Sequence, residues 1–113
     1  MRGKSGRHAP AFVLLELAKS KKYGMQILNE LNERIPNNCL DSAAVYRALS
    51  SLEKAQCVVV RADADENGVT KKYYEITEKG RVELTLFYED IQMRVENLSY
   101  FLNTYKDLGD NND

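Results

Sequence analysis

Residues Leu40 to Gln56 read LDSAAVYRALSSLEKAQ, and the helix they predict has two unlike faces. Asp41 is suited to cap it, and Leu40 before it can pack on Val45, a staple that fixes how the chain enters. Ala44, Val45, Ala48, Leu49, Leu52 and Ala55 recur at helical spacing and form an apolar face suited to a small core. The opposite face carries Ser42, Ala43, Tyr46, Arg47, Ser50 and Lys54. Ser42, Ala43 and Ser50 are short enough for another surface, such as a DNA groove, to approach closely. A solvated face on which Tyr46 covers a core edge is the plainer reading of this helix taken alone.

Upstream, Ala11 to Ser20 is apolar nearly all round through Phe12, Val13, Leu14, Leu15, Leu17 and Ala18, so this helix must be covered on more than one side. Lys19, Lys21 and Lys22 read as a basic, solvated turn. A second helix restarts at Tyr23-Gly24 with Met25, Ile27, Leu28, Leu31 and Ile35 as its apolar stripe, and Pro36-Asn37-Asn38 ends it. Helix, turn and capped helix make a helix-turn-helix, whose second helix usually enters the major groove.

Downstream, the β-branched run from Cys57 to Arg61, the polar loop from Asp63 to Gly68, and Val69 to Ile76 predict a β-hairpin. Lys71 and Lys72 on the returning strand, with Arg61 opposite, can grip phosphates or protect a sheet edge. Thr77 is placed to cap a long last helix. In it Leu84, Tyr88, Ile91, Val95, Leu98, Leu102 and Tyr105 alternate four and three apart, a coiled-coil seam that Phe87 and Phe101 widen. From Glu78 to Tyr105 such a helix is about 42 Å long, more than the hairpin and three short helices cover, so a second copy is the simplest partner.

The 113 residues, 43% hydrophobic and 29% charged, suffice for one small domain, aided by self-association. The expected fold is mostly α with a small antiparallel β-hairpin: a flexible basic tail at 1–8, a winged helix-turn-helix at 9–76, a dimerisation helix at 77–108 and a disordered acidic end at 109–113. Residues 1–80 hold 13 Lys and Arg against 10 Asp and Glu, whereas 81–113 hold 3 against 7, a weak pointer to a polyanion at the front. No apolar run is long enough to span a membrane, and the start, MRGKSGRHAP, lacks a signal peptide's apolar core, so a cytoplasmic protein is expected. Cys39 and Cys57 flank a helix that holds its ends roughly 22 Å apart, too far for a disulfide. No nucleophile with a base, metal cluster or phosphate loop can be assembled; His8 is the one histidine. No catalytic residue, cofactor or metal is therefore expected.

Tyr23-Gly24, Ala44-Val45-Tyr46 through Leu49, Leu52-Glu53-Lys54, and Lys71-Lys72-Tyr73-Tyr74-Glu75-Ile76-Thr77-Glu78-Lys79-Gly80 resemble the winged-helix regulators of the PadR family. The resemblance runs from about Ala9 to Tyr105, and the single terminal helix is similar to the family's shorter subgroup. It implies a homodimer, joined through the terminal and first helices, that binds double-stranded DNA at an inverted-repeat operator and usually represses. Carried over, it places Ser42, Ala43, Tyr46, Arg47 and Ser50 at the major groove. Lys54 and Tyr23 would meet the backbone, and Lys71 and Lys72 the phosphates beside the wing. The dimer interface would comprise Leu84, Phe87, Tyr88, Ile91, Val95, Leu98, Phe101, Leu102 and Tyr105.

The chain departs from the family at three points. Ser50 and Ser51 stand where relatives often carry basic residues, Gln56 replaces the glycine that usually ends the helix, and the wing tip, DADENG, is acidic. Weaker DNA affinity follows, or a larger share for Lys19, Lys21, Lys22 and the N-terminal tail. Some members bind planar aromatic compounds between subunits with a tryptophan of the terminal helix; this chain has none, so any small-molecule effector stays unknown. The rival reading is a winged-helix dimer that serves as an interaction or assembly module without specific DNA binding.

Overall fold

The computed structural model describes residues 8–37 and 40–111. In chain order these form α1 (Ala9–Lys19), β1 (Lys22–Tyr23), α2 (Gly24–Arg34), α3 (Ser42–Lys54), β2 (Val58–Ala64), β3 (Thr70–Ile76) and α4 (Glu78–Asn111). The tail over 1–7, Asn38 of the expected turn, Cys39, and 112–113 of the expected acidic end lie outside the described residues.

Asp41 caps α3 as its sequence requires, its Oδ1 accepting the Ala44 N–H at 2.8 Å. The apolar faces meet in one core of Val13, Leu14 and Leu17 from α1, Ile27 and Leu31 from α2, Val45, Leu49 and Leu52 from α3, and Val58 from β2. Leu40 packs half-buried against it beside the start of α3. Two expected core positions are corrected. Met25 is 51% exposed because it lies in the first turn of α2, outside the core, and Ala55 is exposed because it is already the C-cap of α3.

The expected hairpin is a three-stranded antiparallel sheet in the order β1-β3-β2. The two residues of β1, Lys22 read as part of a solvated turn and Tyr23 as the start of the second helix, pair with β3 as Lys22 with Tyr74 and Tyr23 with Tyr73. Lys22 is thereby buried, not solvated. Its ammonium donates to the carbonyls of Glu16 and Ser20 at 2.9 and 3.3 Å and to Ser20 Oγ at 3.0 Å. These oxygens lie at the end of α1, where carbonyls lack helical partners and a cation is favoured.

Helix α3 ends with a left-handed residue, although that residue is Gln56, at φ 64°. The Gln56 N–H donates to Glu53 O at 3.0 Å and the Cys57 N–H to Leu52 O at 2.8 Å, the paired bonds of a Schellman end. Thr77 returns to this place: its N–H donates to Cys57 O at 3.0 Å and its hydroxyl to Gln56 O at 2.8 Å. The same hydroxyl accepts the Gly80 N–H at 3.1 Å and so caps α4. Gly80 lies so close to the Cys57 carbonyl that a Cβ there would collide with its oxygen.

Helix α4 runs on to Asn111, past the expected end at 108. Its 34 residues span about 51 Å, which sets the 64 Å long axis of the chain.

Two substitutions at this junction have opposite expected signs. Gln56→Gly relieves the left-handed backbone and raises unfolding free energy by about 1 kcal/mol in chemical denaturation. Gly80→Ala would ordinarily favour a helix by about that amount, but here it lowers stability by about 1–3 kcal/mol through overpacking.

Candidate nucleic-acid interface

All six residues expected on the open face of α3 are exposed: Ser42, Ala43, Tyr46, Arg47, Ser50 and Lys54. Tyr46 and Arg47 stand about 100° apart around the helix with Ala43 and Ser50 between them, so two large side chains flank a shallow middle. Tyr46 is held from below by α2. A Cβ on Gly24 would lie 2.5–2.8 Å from the Tyr46 ring and hydroxyl, so glycine there lets the ring lie against the helix start. Tyr23, the N-cap of α2, has its N–H bonded to Gln26 Oε1 at 2.9 Å. Arg47, on the other flank, edges a recess with Ala9 and Pro10 of α1.

Between α2, α3 and the sheet lies a cleft of about 470 Å³ lined by Tyr23, Gly24, Met25, Tyr46, Lys71, Lys72 and Tyr74. Burial pushes the Tyr74 phenol upward, helped by the Glu53 carboxylate and by Tyr46. The structure therefore brings the adjacent lysines, Tyr23 and the Tyr46 flank together, while Arg47 stands apart.

The cations nearest this face and the wing divide into two groups. Lys19 pairs with Glu16 at 3.0 Å, Lys21 with Asp63 at 3.2 Å, Arg61 with Glu75 at 2.9 Å, and Lys71 with Asp65 at 3.3 Å. Arg61, read as a phosphate grip, is thus already neutralised by a neighbouring strand's carboxylate. Arg47, Lys54 and Lys72 have no ion pair among the described residues. Ser51, also exposed, extends the face toward α1, where it lines the recess beside Arg47.

The wing pairs affect titration. The Lys21 hydrogen bond, with the Ala64 N–H, holds the Asp63 carboxyl below the usual aspartate range; the Val69 and Asn67 N–H groups and Lys71 do the same for Asp65. Lys71 titrates higher than usual even though desolvation, the largest influence, opposes its charge, because Asp65 and Tyr23 together outweigh it.

Along α4, Leu84 and Phe87 pack on the chain's own core. Tyr88, Ile91 and Val95 line a groove of about 320 Å³ with Ala11, Phe12 and Leu15 of α1. Beyond the groove Leu98, Phe101, Leu102 and Tyr105 are 59–67% exposed, and the Phe101 and Tyr105 rings stack at 6.4 Å. Val82, Leu86, Met93 and Tyr100 make a second exposed apolar row on the opposite side, which the seven-residue spacing from Leu86 could have revealed. Among the described residues no group of three or more His, Cys, Asp or Glu is placed to hold a metal, and no helix is long and apolar enough to cross a membrane. Cys57 is buried as a free thiol.

The sequence matches the transcriptional regulator PadR-like family over residues 13–86, more than half of the chain. The chain belongs to the PadR-like family. A PadR family transcription regulator from Clostridium difficile R20291 is 22% identical, with 84% of this chain and 98% of that chain covered at a TM-score of 0.73. A PadR-like transcriptional regulator from Bacillus cereus is 22% identical over 85% and 92%, at 0.75. A protein from Streptococcus mutans UA159 is 19% identical over 88% and 90%, at 0.78. At these identities the likeness is one of fold: a PadR-like winged helix with a long C-terminal helix. No curated protein matches the sequence.

A lowered folded-state pKa stabilises only where the group is ionised. The stability that Asp63 and Asp65 lend the wing is therefore full above about pH 3.9 and is lost as pH falls through their lowered values. Denaturation measured from pH 5 to 2 should show this loss, smaller in Asp63→Asn.

Proposed function

We propose that this PadR-like chain is a sequence-specific DNA-binding regulator that represses as a homodimer on an inverted-repeat operator. The observation that carries this reading is the placement of the unpaired cations. Arg47, Lys54 and Lys72 lie around a shallow exposed face of α3, whereas the neighbouring cations are neutralised by their own carboxylates.

In this reading α3 enters the major groove with Ser42, Ala43 and Ser50 allowing close approach. The Arg47 guanidinium donates two hydrogen bonds to a guanine edge, worth about 1–3 kcal/mol of discrimination. Tyr46 contacts the groove from its seat on Gly24. Lys54, Tyr23 and Lys72 meet the phosphate backbone, beside the positive N-terminal end of α2, and Lys71 does so by exchanging Asp65 for a phosphate.

The second copy follows from α4. Leu98, Leu102 and Tyr105 continue the seam beyond the groove shared with α1, and a row of this length left in water is what a partner helix buries. The α1–α4 groove, with Leu15 46% exposed at its edge, widens that surface. Two such copies present two α3 helices to half-sites about one DNA turn apart. A bound dimer represses by occupying DNA that transcription needs.

The sparse free cations also favour a second reading, an interaction module without specific DNA binding. The deciding measurement is binding across a salt series to the DNA just upstream of the gene and to a scrambled duplex. A regulator binds the first preferentially, with an affinity that falls steeply with salt. Equal, weak binding to both that vanishes near physiological salt supports the module.

Arg47→Ala with Lys72→Ala should abolish preferential binding while sedimentation still reports a dimer. Leu98→Glu should instead yield a folded monomer that loses full-site affinity, because the half-sites are no longer read together. Full-site binding of that monomer at wild-type strength would contradict the dimeric mechanism.

A further inference from the structure

The β2–β3 register pairs Asp63 with Lys71 and Arg61 with Tyr73, so Arg61, Asp63, Lys71, Tyr73 and Glu75 share one face of the wing. The core residues Val58 and Ile76 occupy the other. On this outward face Lys21 and Lys71 are held alike. The Lys21 ammonium lies 3.2 Å from Asp63 Oδ2 and 5.4 Å from the centre of the Tyr73 ring. That of Lys71 lies 3.3 Å from Asp65 Oδ2 and 4.1 Å from the centre of the Tyr23 ring. The two rings meet edge to face at 5.6 Å, so one aromatic pair seats both cations.

Each aspartate divides its work between its oxygens. Asp63 Oδ1 accepts the Ala64 N–H at 2.9 Å, and Asp65 Oδ1 accepts the N–H groups of Asn67 and Val69, both at 2.9 Å. Only Oδ2 holds the lysine. Lys21 can therefore leave while Asp63 stays anchored to the wing backbone and turns its free oxygen to water; Lys71 leaves an Asp65 that is anchored by two N–H groups and more sheltered, at 13% exposure. The Lys21 pair is exposed on both sides, 48% and 55%, a setting in which ion pairs contribute little and exchange readily. Lys71 also lines the cleft shared with Tyr46 and Lys72, beside the face of α3.

We propose that Lys21 and Lys71 are latent phosphate sites of the wing, at which Asp63 and Asp65 occupy in the free protein the positions that DNA phosphates take in the complex. This rests on the DNA-binding reading above and adds Lys21 to its contacts. A phosphate replaces a carboxylate at each ammonium, the tyrosine ring keeps the ammonium in place, and the displaced aspartate, an isolated charge with no condensed counterion, is hydrated. The acidic wing is then an internal competitor that lowers affinity for DNA making only part of the contacts.

The test uses the full chain and the duplex from upstream of its gene, with affinity measured over a salt series. Lys21→Ala should reduce the slope of log affinity against log salt by about 0.9 per phosphate lost, hence about 1.8 for two copies, and Lys21→Arg should restore it. Asp63→Asn should bind about fivefold more tightly. Lys72→Ala serves as the control. If it reduces the slope while Lys21→Ala does not, the DNA-binding reading stands and the latent site is wrong. Unchanged affinity in Asp63→Asn also overturns the competitor role. If the wild type shows no preference for its own upstream DNA, both readings fall together. Thermal unfolding of each variant at the wild-type temperature shows that these outcomes do not come from loss of fold.

Discussion

One hydrogen-bonded junction joins α3 to α4. The carbonyls of Gln56 and Cys57, just past the end of α3, receive the hydroxyl and N–H of Thr77, which in turn caps α4 through Gly80. The wing leaves from one side of this junction and returns to the other, so β2 and β3 start and finish against the same few atoms. A rotation of α4 must therefore move the end of α3 or break these bonds, of which the one to the buried Cys57 carbonyl is the costlier to lose. The close approach of Gly80 to the Cys57 carbonyl removes the slack that a side chain would introduce. Two copies joined through α4 would carry their α3 helices at a spacing set by this junction.

Electrostatics act on a finer scale than net charge. A chain of net charge -1 can still present positive groups on one face if the cations beside them are neutralised locally. Glu16, Asp63, Asp65 and Glu75 do this around Lys19, Lys21, Lys71 and Arg61. Lys22 is withdrawn altogether to serve the carbonyls at the end of α1. The acidic wing tip, unfavourable beside DNA on composition alone, is thereby half of a set of paired charges.

Much of this was legible in the residues. The Asp41 cap, the Ala44-Val45-Ala48-Leu49-Leu52 face, the hairpin and the terminal helix all follow from local chemistry or from a spacing of two, three or four residues. The open face of α3 was legible for the same reason, since whatever is not on the apolar side of a short helix must be outside. Strand β1 was not, because two residues carry no periodicity, and Lys22 and Tyr23 become a strand only through pairing with β3. The Schellman end was obscured because Gln56 takes the left-handed conformation usually left to glycine.

By itself the sequence determined the order of the four helices and the hairpin, the apolar side of α3, the family resemblance and a seam too long for one chain to cover. These depend on neighbours within one or two turns. Only the tertiary structure decided which cations are free. Lys21 and Asp63 are 42 residues apart, Arg61 and Glu75 are 14 apart, and both meet only after the strands adopt one register. The role of Gly24 was settled in the same way, by the Tyr46 ring arriving from another helix. Pairing and close approach are properties of distance in space, and no local pattern in a chain encodes the distance between segments that have yet to meet.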